Sequence, residues 1–379
     1  MSDKNKNNTA DSEPEYKSML DVIKAMIAAD GPMTMAQYMN VCLAHPDYGY
    51  YTTRDPFGEN GDFITAPEIS QMFGEMIGLW LAQTWMSMGT PNPVHLVEMG
   101  PGRGTLMADI LRAAGAVPAF REALQVHFIE VSPTLRKAQQ AKVPHAHWHD
   151  NLSSVPAGPT LLVANEFFDA LPVHQYVKTP GGWAECLVMH DTEEDILEPS
   201  YGPSTGSLVM IPDSVKDSAQ IGQFIETCPI AISIISDITK RLNNYGGAAL
   251  VIDYGSLETT TGPTVQAVRD HHHEHILANP GNADITAHVD FGSLARTVTE
   301  AGGRVAPMIT QGEFLGRLGI GMRAEQLGAA ADEEQQQDII EAVKRLAGSG
   351  EGEMGELFKV MAFTNKSGAP LAGFENPEN

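Results

Sequence analysis

Apolar positions recur along the chain with two different periods, and the change between them falls near residue 93. From 16 to 90 the spacing is helical. "YKSMLDVIKAMIAADG" (16–31), "TMAQYMNVCLAHP" (34–46) and "TAPEISQMFGEMIGLWLAQTWMSMG" (65–89) each predict a helix. In the last, Met72, Met76 and Trp80 form one row and Phe73, Ile77 and Leu81 a second, a stripe suited to a core. Thr65 and Glu68 have the spacing of a capping box, and Pro67 sits in the first turn, where a missing N–H costs nothing.

Beyond 93, short apolar runs alternate with amphipathic stretches. "VHLVE" (94–98), "LQVHFIE" (124–130), "AHW" (146–148), "TLLVANE" (160–166) and "AALVIDYG" (248–255) predict strands. Helices are predicted over 104–114, 133–141, 214–243, 290–301 and 333–347. "VHQYVKTPGGWAECLVM" (173–189) reads as a hairpin about Pro180-Gly181-Gly182, and "RVAPMIT" (304–310) and "ELFKVMAF" (356–363) as the last strands. This alternation predicts an α/β fold whose sheet is mostly parallel and covered on both faces.

Charge narrows the partners. The 379 residues include 48 Asp and Glu against 24 Lys and Arg, a formal net charge of −24. Such a surface repels phosphate backbones and anionic lipid, so neither nucleic acid nor membrane is expected as a partner, while a cationic substrate is favoured. Cys42, Cys186 and Cys228 show no paired spacing, which argues against disulfides and a zinc cluster. His271, His272, His273 and His275 crowd one loop, but adjacent side chains point apart and no cysteine joins them, so no metal is expected. No apolar stretch approaches the length of a membrane helix. The opening "MSDKNKNNTADSEPEYK" has neither an apolar segment nor an arginine, so the expected setting is the bacterial cytoplasm.

The chemistry begins at "LVEMGPGRGTL" (96–106). A strand, then Gly100, Gly102 and Gly104, then a helix make a nucleotide-cofactor turn: the glycines permit close approach, and the helix start offers free N–H groups. The spacing is GxGxG rather than the GxGxxG of dinucleotide sites. Glu98 ends the strand before it, where a pyrophosphate would be repelled and an ammonium or sulfonium welcomed. S-adenosylmethionine (SAM) is therefore favoured over NAD. Glu130, at the end of the second strand, stands where ribose hydroxyls would lie. Asp150 and Asn151 follow the third, where an adenine amino group could find an acceptor. After the fourth strand, Asn165, Glu166 and Asp169 crowd the carboxyl end of the sheet, where open α/β folds place their sites. A helical turn over 166–169 would bring both carboxylates to one side to grip a guanidinium. Capping of following turns is the structural alternative for Glu130, Asp150, Glu166 and Asp169.

The stretches "HPDYGYYTT", "GDFITAPEISQMFGE", "LVEMGPGRGTLMADILR", "EVSPTLRKAQ", "NEFFDALPVHQYV", "VIDYG", "PGNADITAHVDF" and "GELFKV" together resemble the MidA family of class I SAM-dependent methyltransferases, from about residue 16 to 364. The resemblance implies a seven-stranded, mostly parallel, Rossmann-like sheet over 93–364 with an inserted hairpin and helical segment at about 173–245. It adds an N-terminal helical extension over 16–92, between tails at 1–15 and 365–379. It implies SAM as cofactor, held by Glu98, Gly100, Gly102, Gly104, Glu130 and Asn165, with Asp62 near its ammonium group. Glu166 and Asp169 become the catalytic acids, and Asp284, His288 and Asp290 stand near a substrate entrance. The mitochondrial member methylates an arginine of a complex I (NADH dehydrogenase) subunit, so a protein presenting an arginine is the expected substrate. A non-enzymatic SAM-binding assembly factor and a methyltransferase for small molecules remain as alternatives; NAD-dependent oxidation is disfavoured by the loop spacing.

Overall fold

The structure, a computed structural model, describes residues 16–53 and 65–375. Its centre is a mixed sheet. Seven strands form the continuous path: β1 (Val94–Met99), β2 (Leu124–Ile129), β3 (His147–His149), β4 (Thr160–Asn165), β5 (Gly247–Ser256), β6 (Gly303–Val305) and β7 (Phe358–Asn365). They lie in the order β3-β2-β1-β4-β5-β7-β6. The five from β3 to β5 are mutually parallel, whereas β7 runs antiparallel to both β5 and β6. Two further short strands, Val289–Asp290 on β5 and Ile309–Thr310 on β7, bring the sheet to nine. The seven-stranded expectation thus describes the path, not the whole sheet.

Alternate residues of each strand feed two cores. Leu96, Leu161, Val163, Leu250 and Val360 face the helices Gln71–Ser87 and Thr105–Ala114. Val97, Leu162, Val251 and Met361 face Pro229–Tyr245 and Phe291–Glu300. The period of two along buried strands makes this inevitable. It also fixes which way the strand-end acids point. Glu98 and Asn165 continue the first set, and Asp253 the second.

The N-terminal helices Met19–Asp30 and Met35–Ala44 belong to a third core, shared with Val188, Leu197, Ala267 and Ile285 from two outlying sheets. One outlying sheet contains the expected hairpin, His174–Thr179 and Gly182–Asp191, extended by Ile196–Pro203 and Phe224–Thr227. The two-residue strand Met33–Thr34 pairs with it, Met33 opposite Val188, and ties the extension to the insert. No helix among the described residues is long and apolar enough to cross a membrane.

The strand expected over 304–310 is two short strands, Gly303–Val305 and Ile309–Thr310, and the last strand starts at Phe358, after the helical turn Met354–Leu357; two expected helices differ more. The helix over 65–89 is broken at Ser70, whose extended backbone (φ −160°) separates Ala66–Ile69 from Gln71–Ser87. Thr65 makes no capping bond; Ser70 Oγ caps the longer helix by accepting from Met72 N, and Glu68 instead accepts from the Thr105 hydroxyl. A real capping box sits earlier in the chain, at the start of Met35–Ala44, between Thr34 and Gln37. The helix expected over 214–243 is three elements: Asp213–Ser218, the strand Phe224–Thr227, and Pro229–Tyr245, whose first-turn Pro229 prevents continuation backwards.

Candidate active site

The loop after β1 folds as its glycines require. Gly100, Gly102 and Gly104 have φ of 59°, 50° and 77°, a region costly for side-chain-bearing residues. A Cβ on Gly100 would also stand 2.8 Å from the ring of Phe167. The space denied to a side chain there is filled by this protein's own ring, a constraint the sequence reading assigned to the ligand.

Around the loop lies a cleft lined by Glu68, Glu98, Gly100, Gly102, Asn165 and Glu166, among others. Glu98 is buried, and burial holds its carboxyl well above the ordinary carboxylate range. Its Oε2 has no hydrogen-bond partner among the described residues, and neither does the buried Oδ1 of Asn165. Two orphan acceptors at the carboxyl ends of neighbouring strands, beside a left-handed glycine loop, suit a ligand that brings donors and positive charge. The ammonium and sulfonium of SAM meet that need.

Glu130 is buried at the end of β2 and is already engaged. Oε1 accepts from Ser132 N (2.8 Å) and Oε2 from Gln139 Nε2 (3.1 Å). Burial pushes its pKa up, and these bonds pull back. Gln139 Nε2 also donates to the Gly102 carbonyl (2.7 Å), so Glu130 is linked to the glycine loop through one side chain. Carboxylate oxygens retain lone pairs for ribose hydroxyls, but the turn-capping role is plainly present.

Asp150 and Asn151 lie at the surface, after β3. Asp150 is exposed and pairs with Arg136 Nη2 at 2.6 Å; Asn151 is exposed and accepts from Ser153 Oγ at 2.6 Å. The strand before them has only three residues, so the chain leaves the sheet early. Asp62 lies outside the described residues.

At the end of β4 the chain takes a turn that is not helical. Glu166 has φ +50°, uncommon for a residue with a side chain, yet its N–H donates to the Ile252 carbonyl (2.9 Å). Its Oε1 accepts from Ala66 N and Asn165 Nδ2, both at 3.0 Å. Burial raises its pKa to about 7 despite those donors, and Asp169 nearby adds to the rise. Asp169 is likewise raised by burial, to about 6, while a bond with the Tyr254 hydroxyl opposes the shift.

The residue that shapes this turn is not among those the sequence predicts for the site. Asp253, fully buried on β5, receives three successive backbone N–H groups on one oxygen: Phe167 (3.1 Å), Phe168 (2.9 Å) and Asp169 (3.3 Å). Its other oxygen accepts from Tyr254 N (3.0 Å). Burial, and then the charges of Asp169 and Glu166, push its pKa well up. The one available signal was an acid closing an uninterrupted apolar strand.

The three residues expected near a substrate entrance separate. Asp284 is buried and accepts from the Tyr51 hydroxyl (2.8 and 3.0 Å), and Asp169 lies close enough to act electrostatically on that same hydroxyl. His288 meets the Tyr254 ring edge-on at 5.2 Å. Asp290 caps the helix Phe291–Glu300 through Ser293 N (2.8 Å), an architectural task.

A strand-end acid, a left-handed glycine loop and orphan acceptors on a mixed sheet suit a SAM-dependent methyltransferase, and the S-adenosyl-L-methionine-dependent methyltransferase 28 family matches residues 76–309. The human mitochondrial protein arginine methyltransferase NDUFAF7 is 37% identical over 385 residues, covering 93% of this chain and 84% of that protein. Its Xenopus tropicalis counterpart is 35% identical, covering 94% and 89%. A Burkholderia thailandensis protein crystallised with S-adenosyl-homocysteine superposes with a TM-score of 0.79 at 26% identity, covering 94% of each chain. The chain belongs to the MidA family of SAM-dependent methyltransferases.

Proposed function

We propose that this enzyme methylates an arginine side chain on a protein partner, with Glu166 and Asp169 holding the guanidinium. One observation carries the reading: two buried carboxyl groups at the end of β4, raised to about 7 and about 6, beside the cofactor cleft. Burial disfavours their charge, and an arriving guanidinium would restore it. The relatives' printed activity supports the same substrate, and the family resemblance makes a complex I subunit the first partner to try.

When bound, SAM supplies a methyl group already activated on a sulfonium. The chain's own task is to orient and to exclude water. In this reading Glu98 and Asn165 take the ammonium end and Glu130 the ribose hydroxyls. Glu166 and Asp169 hold two guanidinium nitrogens by charge-assisted bonds, leaving the third toward the methyl. Methylation joins carbon to that nitrogen, breaks the sulfur–carbon bond, and releases one proton, since both substrate and product guanidiniums are cations. The acids bonded to the guanidinium, Glu166 and Asp169, are the groups within reach to receive it. Asp253 touches neither ligand and serves as a positioning residue through the turn it anchors.

The test is isotope-labelled SAM added to a lysate of host cells lacking this chain, with and without the purified enzyme. Label on arginine of a discrete protein supports the reading. Label confined to small molecules, with none on arginine, removes it.

A further inference from the structure

A cavity of about 430 Å³ lies apart from the one at the glycine loop. It opens at the opposite end of the sheet, where β2 begins, between the helices Thr105–Ala114 and Pro133–Lys142. From Leu124 the chain takes six residue steps, roughly 20 Å, to reach Glu130. Nothing in the methyl-transfer scheme uses this cavity.

Its lining runs against the rest of the molecule. The chain has twice as many acidic as basic residues. Yet the twelve lining residues include Arg112, Arg121, Lys142, His145 and His147, and no carboxylate. Arg112 is committed to Glu75 and Asp109. Arg121 and His145 are exposed, and Lys142 donates to the neutral Thr105 hydroxyl. Leu111, Val126 and Val143 bring apolar groups to the same lining. Arg121 and Lys142 beside apolar groups, in a cavity of the size that takes small molecules, suit a ligand with both an anionic group and a flat or apolar body. On a chain of net charge −24, a cavity whose lining holds Arg121 and Lys142 and no carboxylate is a place where an anion gains on approach.

We propose that this cavity binds a phosphate-bearing small molecule with a flat body, of the nucleotide class, at a site separate from the cofactor cleft. Arg121 and His145 contact the phosphate from the rim and the apolar groups pack against the body. Lys142 contributes charge too, but it also reaches the cofactor cleft, through Thr105 to Glu68, so it is left intact in the test.

The full-length enzyme, saturated with S-adenosyl-homocysteine to block the cofactor cleft, is titrated calorimetrically with GMP and with guanosine at about 50 mM salt. The expected result is saturable GMP binding, at least about tenfold weaker or absent for guanosine. Binding should weaken at least as much in the double variant Arg121→Glu/His145→Glu, with unchanged affinity for S-adenosyl-homocysteine. Absence of saturable GMP binding, equal binding of guanosine, or equal binding by the double variant with its cofactor affinity intact would overturn the proposal.

Discussion

The two sides of the cleft handle buried acids in opposite ways. On the β2 side, Glu130 has both oxygens bonded to neutral donors of its own chain, so the site is built before any ligand arrives. On the β4 side, Glu166, Asp169 and Asp253 are packed within electrostatic reach of one another, and all three are pushed up. Among the described residues, no arginine or lysine forms an ion pair with any of the three. The first side is finished; the second is short of a cation. A neutral sugar can be met by a satisfied acid, whereas a cluster of unneutralised acids makes sense as a receptor for positive charge.

The sharpest break of this comparison is on the loop between the sides. Gly100→Val should abolish S-adenosyl-homocysteine binding, because the new side chain meets Phe167 and cannot cheaply hold φ 59°. Calorimetry on a variant shown folded by circular dichroism checks it, and a normal affinity would clear the loop of its role. Next comes Asp253→Ala, which strips acceptors from four backbone N–H groups and should cost about 3 kcal/mol of stability. Denaturant unfolding reads this directly; a loss below about 0.5 kcal/mol would mean the turn holds without its anchor.

Glu130→Ala should weaken S-adenosyl-homocysteine binding by roughly 1.5–3 kcal/mol. Because Glu130 also receives Ser132 N and Gln139, the unliganded protein should lose melting temperature as well, so both quantities must be measured. A lowered Tm with unaltered affinity would leave Glu130 as a cap alone. The smallest effect belongs to Asp150→Ala, an exposed residue in a surface ion pair, with less than about 1 kcal/mol on either quantity. A larger loss of affinity would return Asp150 to the cofactor.

What was legible in the sequence tracks how local each signal is. The strands from β1 to β5 are short apolar runs bounded by polar residues, and the glycines announce positive φ by their type. The break at Ser70 was hidden because Thr65 and Glu68 mimic a capping box while the apolar rows continue past it. Phe224–Thr227 was absorbed into a helix because isoleucines on both sides keep a plausible helical spacing. Met33–Thr34 is too short to show alternation. Glu98 and Glu166 were readable as strand-end acids. Asp253's task depends on N–H groups more than eighty positions earlier in the chain, and Tyr51 meets Asp284 across 233 residues. No local pattern encodes such pairs.

If the acids after β4 serve the substrate and not the cofactor, Glu166→Gln should separate methyl transfer from cofactor binding. The change keeps shape and removes charge. Single-turnover methyl transfer to the arginine-bearing partner, measured from pH 5.5 to 8 beside calorimetry with S-adenosyl-homocysteine, gives both readings. The wild-type rate should fall as pH drops from about 7 through about 6, where Glu166 and Asp169 take up protons and lose their grip on the cation. The variant should keep cofactor affinity within a few-fold and lose at least about 100-fold in rate, on the order of 2.7 kcal/mol in the barrier. Full activity in the variant, or a rate loss matched by an equal loss of cofactor affinity, would contradict the account.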